Sequence, residues 1–233
     1  MTARTAPSAP LKPVSSRKTV HDQVYDQLRD ALISGGFEAG EPFTIAALAT
    51  RFQTSHMPVR EALRRLAAER ALLIATTGTA YVPDITRAEL HDITRARIII
   101  EGATAALAGP RLTPADLGAL ARLLDRHEQS GLTGQIAEMT RTNREFHFRI
   151  YQAAGSPVLL SQIENLWLRS GPYVRFLSDR MAELLRSGPA ERFVRHHHDM
   201  LAALRAGDWP ALRAACEADI AETCTSLEPF LEA

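Results

Sequence analysis

The chain has 233 residues, 45% of them hydrophobic, with 27 Lys+Arg balanced by 27 Asp+Glu. That composition excludes a wholly disordered chain, and neutrality argues against a protein that merely coats DNA. No apolar run approaches the roughly 18–20 residues of a membrane span. The opening MTARTAPSAPLKPVSS has no apolar core of a secretory signal. Two cysteines, Cys216 and Cys224, make no disulfide scaffold and suit a reducing compartment. A cytoplasmic protein without a membrane partner is expected. The charge is uneven: residues 1–83 carry 10 Lys+Arg against 7 Asp+Glu, and the remainder carry 17 against 20. A basic first third and an acidic remainder fit two domains with different partners.

Residues 1–17, with Pro7, Pro10 and Pro13 among Ser, Thr and Ala, read as a flexible arm. From Thr19 to Ser34, Val20, Val24, Leu28, Ala31 and Leu32 recur at helical spacing, and Gly35-Gly36 ends that helix. A short helix follows over Thr44–Arg51. Another covers Ser55–Arg70, with Val59, Ala62, Leu63 and Leu66 as one stripe, Ser55 placed to cap it and Pro58 tolerated in its first turn. Leu72-Leu73-Ile74, a Thr76–Thr79 turn and Tyr81-Val82 predict a β-hairpin. Three short helices and a hairpin make a winged helix-turn-helix over 18–83. After Pro83–Thr86 the remaining chain, 84–233, reads as an all-α bundle with helices over 87–109, 113–129, 132–154, 157–184, 190–206 and 209–229. Thr113-Pro114-Ala115-Asp116 starts one of them with a cap, a first-turn proline and an early acid. The fold class expected is mainly α.

In a helix-turn-helix the second helix enters the major groove and its N-terminal residues reach base edges. Here Arg60 and Arg64 stand one turn apart, off the apolar stripe, in position for guanine or phosphate. Thr54, Ser55 and the helix N-terminal amides suit phosphate. Arg51 ends the preceding helix, and Gly78 tips the wing. The alternative is a solvated charged helix whose arginines pair with Glu61 or Glu69. Residues 18–83 resemble the DNA-binding domain of the GntR family of bacterial transcription regulators. The resemblance rests on Gln27-Leu28-Arg29, Ala31-Leu32-Ile33, Gly35, Gly40, Leu48-Ala49, Arg51-Phe52 and above all Pro58-Val59-Arg60-Glu61-Ala62-Leu63. His56 stands where that family usually has arginine, and Ile45-Ala46 where polar residues are common. The resemblance implies double-stranded operator DNA as a partner, while His56 weakens any carry-over of the family's base preference.

Asn143 and His147 lie one turn apart on one predicted helix, His197 on a later one and Asp219 on the last. Two imidazoles and a carboxylate are ligands for zinc, nickel, iron or manganese. A core histidine at 147 is the alternative, and three consecutive histidines, 196–198, cannot share a face. The 85–230 stretch resembles the FadR-type effector domain of one GntR subfamily through Arg97–Glu101, Asn143-x-x-Phe146-His147, Ala154-Gly155-Ser156, His197 and Ala203-Leu204-x-x-Gly207-Asp208. By position the resemblance places four metal ligands at Asn143, His147, His197 and Asp219. Two depart from the subfamily pattern: asparagine replaces its aspartate, and aspartate replaces its last histidine. A divalent transition metal (zinc, nickel or manganese) is thus expected, with Asn143 as a weak ligand or a hydrogen-bonding neighbour. The metal-free alternative has Asn143, His147 and His197 bonding an effector directly. Arg97 occupies the subfamily's pocket-arginine position, implying a clamp on a small carboxylate effector; its alternative is an ion pair with Glu101. Arg149, Tyr173 and Arg175 are further pocket candidates, whereas His196 and His198 are expected to face elsewhere.

The expectation is a ligand-responsive repressor that binds a palindromic operator as a homodimer. The rival is a metalloenzyme fused to a DNA-binding head, using His147, His197 and Asp219. It would require a general acid or base at the open metal face, and Glu145 points away from His147 along their helix.

Overall fold

A computed structural model describes residues 18–187 and 192–231. The arm expected over 1–17 lies outside the described residues. The N-terminal unit contains α1 (Val20–Ile33), α2 (Ile45–Arg51) and α3 (His56–Ala68). Three two-residue strands, β1 (Pro42–Phe43), β2 (Leu73–Ile74) and β3 (Ala80–Tyr81), complete it. Thr19 starts α1 with a reciprocal cap: its side chain accepts from the Asp22 amide, and the Asp22 side chain accepts from the Thr19 amide. Leu28, Leu32, Val59, Leu63 and Leu66 bury the facing sides of α1 and α3. Tyr25 then ties the two helices by donating to Glu69 at 2.7 Å, beneath the Arg65 guanidinium.

The expected hairpin is one strand short of the sheet present. The order is β1-β3-β2, both pairings antiparallel, with Pro42 opposite Tyr81 and Leu73 opposite Tyr81 on the other side. Pro42 has no amide to donate, which an edge strand tolerates. The bonds Gly40 N to Val82 O and Val82 N to Glu41 O, each 3.0 Å, extend this pairing.

The C-terminal unit is helical throughout its described residues. It comprises α4 (Arg87–Ala108), α5 (Pro114–Leu132), α6 (Ile136–Ala153), α7 (Pro157–Arg169), α8 (Gly171–Ser187), α9 (Arg192–Ala206) and α10 (Trp209–Leu227). α10 lies against α4 and α9, α5 against α6 and α9, and α4 against α6 and α7. Thr113 caps α5 as predicted and forms with Asp116 a reciprocal capping box, and Ser156 and Asp208 cap α7 and α10. Among the described residues no helix is long and apolar enough to cross a membrane.

The single helix expected over 157–184 is two. The break falls at Ser170-Gly171-Pro172, where a proline in the first turn cannot donate to the preceding one. This break is also where the units touch. A Cβ on Gly171 would sit 2.2 Å from the Leu32 carbonyl oxygen, and one on Gly35 2.7 Å from the Arg175 amide nitrogen. Gly35 has φ +68° besides, which only glycine adopts without strain. Ion pairs flank this close approach: Arg144 to Asp30 at 3.0 Å, Arg29 to Glu164 at 3.1 Å and Arg175 to Glu38 at 3.3 Å.

Gly171→Ala should therefore destabilise the chain by about 1–3 kcal/mol in urea denaturation, through steric conflict with the α1 backbone. Gly118→Ala, in open surroundings on α5, should instead gain about 0.4–1 kcal/mol. Equal effects of the two substitutions would deny the close contact.

Candidate functional site

The buried stripe of Val59, Ala62, Leu63 and Leu66 fixes which side of α3 faces away from the core. His56, Arg60 and Arg64 are exposed on the other side. Arg60 has no hydrogen bond or ion pair within the described residues. Arg64 reaches Glu61 at 3.1 Å, a surface pair of the weak kind that phosphate or guanine displaces readily. Ser55 holds the N-cap position in extended backbone, but its side chain makes no capping bond, contrary to expectation. The first amides of α3 are thus left without that partner. Arg51 is exposed in the last turn of α2, Thr54 is half-buried in the turn before α3, and a Cβ on Gly78 would meet nothing within 4 Å. Met57, 58% exposed beside His56, went unread in the sequence. A large apolar side chain in the first turn of a groove-reading helix was the available signal.

In the helical unit, α6 carries Asn143, His147 and Tyr151 at one-turn intervals, α9 brings His197, and α10 brings Asp219. Ligand atoms of His147, His197 and Asp219 lie within 4.8 Å of one another. His147 Nε2 is 3.2 Å from Asp219 Oδ2, and His197 Nδ1 is 3.5 Å from Asp219 Oδ1. Donors held about 2.1 Å from a tetrahedral ion are about 3.4 Å apart, and the two histidine–carboxylate distances match that spacing.

The hydrogen-bond network decides which ring nitrogens are protonated. Glu101, wholly buried on α4, accepts from Arg97 Nε at 2.6 Å, from Trp167 Nε1 at 3.0 Å and from the Tyr151 hydroxyl at 2.7 Å. Tyr151 therefore spends its proton on Glu101 and offers its oxygen to His147 Nδ1, 3.1 Å away. His147 thus donates through Nδ1, and its Nε2 faces Asp219. The Asn143 carbonyl oxygen lies 2.8 Å from His197 Nε2, which donates to it. The lone pair of His197 is then on Nδ1, a buried atom with no hydrogen-bond partner.

Burial pushes His197 down to about 3, so its ring is neutral. Burial would raise the Asp219 carboxyl, but the neighbouring His197 and His147 outweigh it and hold the group below the usual carboxylate range. The neutral His197 ring and the ionised Asp219 carboxylate are in the states that metal ligation requires.

A cavity of about 460 Å³ opens beside this cluster, with Arg97, Asn143, His197 and Asp219 in its wall. The Arg97 fork is engaged by Glu101, and its Nη1 has no partner among the described residues. The ion pair read as the alternative for Arg97 is therefore formed, while the residue still lines the cavity. His196, set aside as facing elsewhere, also lines it and contacts Glu222 at 2.7 Å. His198 lies outside it, 3.8 Å from Glu128. Arg149 pairs with Asp116, Tyr173 bonds the Thr86 backbone, and Arg175 pairs with Asp179 and Glu38. None of these three lines the larger cavity.

Residues 20–82 match the gntR family of bacterial regulatory proteins, and residues 92–222 match the FCD domain. This chain is a GntR-family transcription regulator with an FCD domain. Over 188 residues the regulator is 35% identical to the HTH-type transcriptional regulator McbR of Escherichia coli K12, spanning 80% of this chain and 82% of that protein. It is 27% identical to the HTH-type transcriptional repressor RspR of the same strain, over 89% of each chain. The solved structure of E. coli McbR/YncC superposes with a TM-score of 0.82 at 32% identity, covering 92% of this chain and 99% of that one. The domains and relatives of this GntR regulator are those of transcription regulators, not of the metalloenzyme set as the rival.

Within the regulator, sequence reasoning missed Tyr151 and Trp167, which act on the cluster through Glu101, and His127, which stacks on His197 at 4.9 Å. Tyr151 follows His147 by four residues, so helical spacing alone would have paired them. Burying the Arg97 charge depends on Glu101. Glu101→Gln should cost about 3–5 kcal/mol in urea denaturation, by leaving that charge unbalanced. Adding Arg97→Met should recover most of the loss. A single variant as stable as the natural chain would show that the pair is not needed.

Proposed function

We propose that this regulator is a metal-containing repressor that senses a small carboxylate and binds a palindromic operator as a homodimer. One observation carries the sensing part: two histidine ring nitrogens converge on the Asp219 carboxylate, one of them buried and without a hydrogen bond. A divalent cation among His147, His197 and Asp219 would engage that unpartnered nitrogen together with the carboxylate. Zinc, nickel or manganese suits the donor set. Asn143 fixes the His197 tautomer and stands close enough to serve as a weak further ligand. Such an ion supplies a coordination position for a carboxylate, and Arg97 Nη1 and Asn143 supply hydrogen-bond donors beside it. Repression is supported by the name of the relative RspR.

The DNA side rests on Arg60 and Arg64 for base edges, and on Arg51, Thr54, Ser55, His56 and Gly78 for phosphate and groove-edge contacts. A two-fold pair of α3 helices reading displaced half-sites requires two copies. Ile99 and Leu107, exposed two turns apart on α4, leave apolar surface suited to a second copy. An effector shifts the operator equilibrium only by its differential affinity for the arrangements of the two heads. A cytoplasmic location follows from this role.

Metal analysis of the purified, untagged chain by inductively coupled plasma mass spectrometry should find about one ion per chain, lost in His147→Ala. No ion after incubation with zinc, nickel and manganese would contradict the metal and leave a cavity that binds its ligand by hydrogen bonds alone. Arg60→Ala should weaken binding to the selected operator by about 1–3 kcal/mol while leaving random duplexes nearly unaffected. Equal weakening on both would make Arg60 a phosphate contact.

A further inference from the structure

The cavity beside His197 and Asp219 is not enclosed by the helical unit alone. Asp30, Ile33 and Ser34, from the end of α1 in the DNA-binding unit, form part of its wall. This placement is built in: Gly171 and Gly35 let the two backbones meet there, and the Arg144–Asp30 and Arg29–Glu164 ion pairs hold the approach from both sides. Asp30, Arg144 and Glu164 all line the cavity themselves. Arg144 also follows Asn143 directly, so one turn of α6 serves both the His197 contact and the α1 contact.

The space is larger than a small carboxylate fills. A volume of about 460 Å³ lies in the range that holds ligands of drug-like size. Phe148, Trp167, Val174 and Leu177 give it an apolar wall, while the donors and acceptors of the His197 cluster stand at one part of the lining.

We infer that the effector site spans both domains: its ligand is an organic acid with an apolar body large enough to touch α1, and Asp30, Ile33 and Ser34 are ligand contacts. This deepens the proposed function and rests on its placement of the carboxylate at the His197–Asp219 cluster. A ligand held by both domains stabilises the docked position of the DNA-binding unit over any undocked one, because its contacts with α1 exist only when the units are docked. The signal then needs no relay through the bundle.

The test uses the full chain loaded with zinc, its metal content measured separately, and three probes: acetate, octanoate and 4-phenylbutyrate. Trp167, in the cavity wall, reports binding by fluorescence. Both long acids should bind at least tenfold tighter than acetate. Amide hydrogen exchange in residues 28–36 should slow severalfold with 4-phenylbutyrate and stay unchanged with acetate. Ser34→Trp, at an exposed position, should weaken 4-phenylbutyrate about tenfold and leave acetate binding and the melting temperature unaltered; if that variant does not fold, exchange in the natural chain decides. Long acids binding no better than acetate would overturn the inference. So would unchanged exchange in α1 with 4-phenylbutyrate bound. A chain that takes up no zinc defeats the metal reading instead, and the same comparison of long and short acids in that chain still decides this one.

Discussion

A single buried carboxylate organises the helical half of this protein. Glu101 is wholly out of water, and Arg97, Tyr151 and Trp167 all donate to it, so its buried oxygens are hydrogen-bonded. These donors come from α4, α6 and α7, so satisfying the charge also ties three helices together. The orientation of Tyr151 follows from it, then the proton on His147 Nδ1, which leaves Nε2 facing Asp219. Asn143 does the same for His197 from the opposite side. The Asp219 carboxylate thereby faces one ring nitrogen of each histidine, that of His197 buried and without a hydrogen bond, an arrangement suited to a cation.

The same helix links this chemistry to DNA. α6 presents Asn143 and His147 to the cluster and Arg144 to Asp30 of α1. The contact between the units is a backbone-to-backbone approach at Gly171 and Gly35, so small shifts of α6 or α8 meet hard atoms on α1 rather than yielding side chains. α1 packs in turn on α3, whose outer side carries Arg60 and Arg64. Changes at the cavity and changes at α3 are thus separated by one helix and two packed interfaces.

Much of this was readable from residue order. The apolar stripes of α1 and α3, the Thr113 cap of α5 and the one-turn spacing of Asn143 and His147 each carry local physics, and each appears as expected. Features made by distant segments were not readable. The strand at Pro42–Phe43 is too short to alternate, and only its partner Ala80–Tyr81 reveals it. Apolar spacing runs through Leu166, Tyr173 and Leu177 and hid the break that Gly171-Pro172 announces. The choice for Arg97 between ion pair and cavity was posed correctly, but spacing could not show that one guanidinium serves both. Periodicity assigned His196 to another face, whereas α9 is angled so that both 196 and 197 reach the cavity. The joining of residues 30–34 to that cavity depends on how two units dock, which no local pattern encodes.

The central claim is that the network sets the histidine tautomers before any ligand arrives. Nitrogen-15 shifts of the imidazole rings in metal-free, full-length protein at neutral pH measure this directly. The account predicts a proton on Nδ1 of His147 and on Nε2 of His197, with the His197 ring neutral. An unprotonated Nδ1 on His147, or a charged His197 ring, would contradict it.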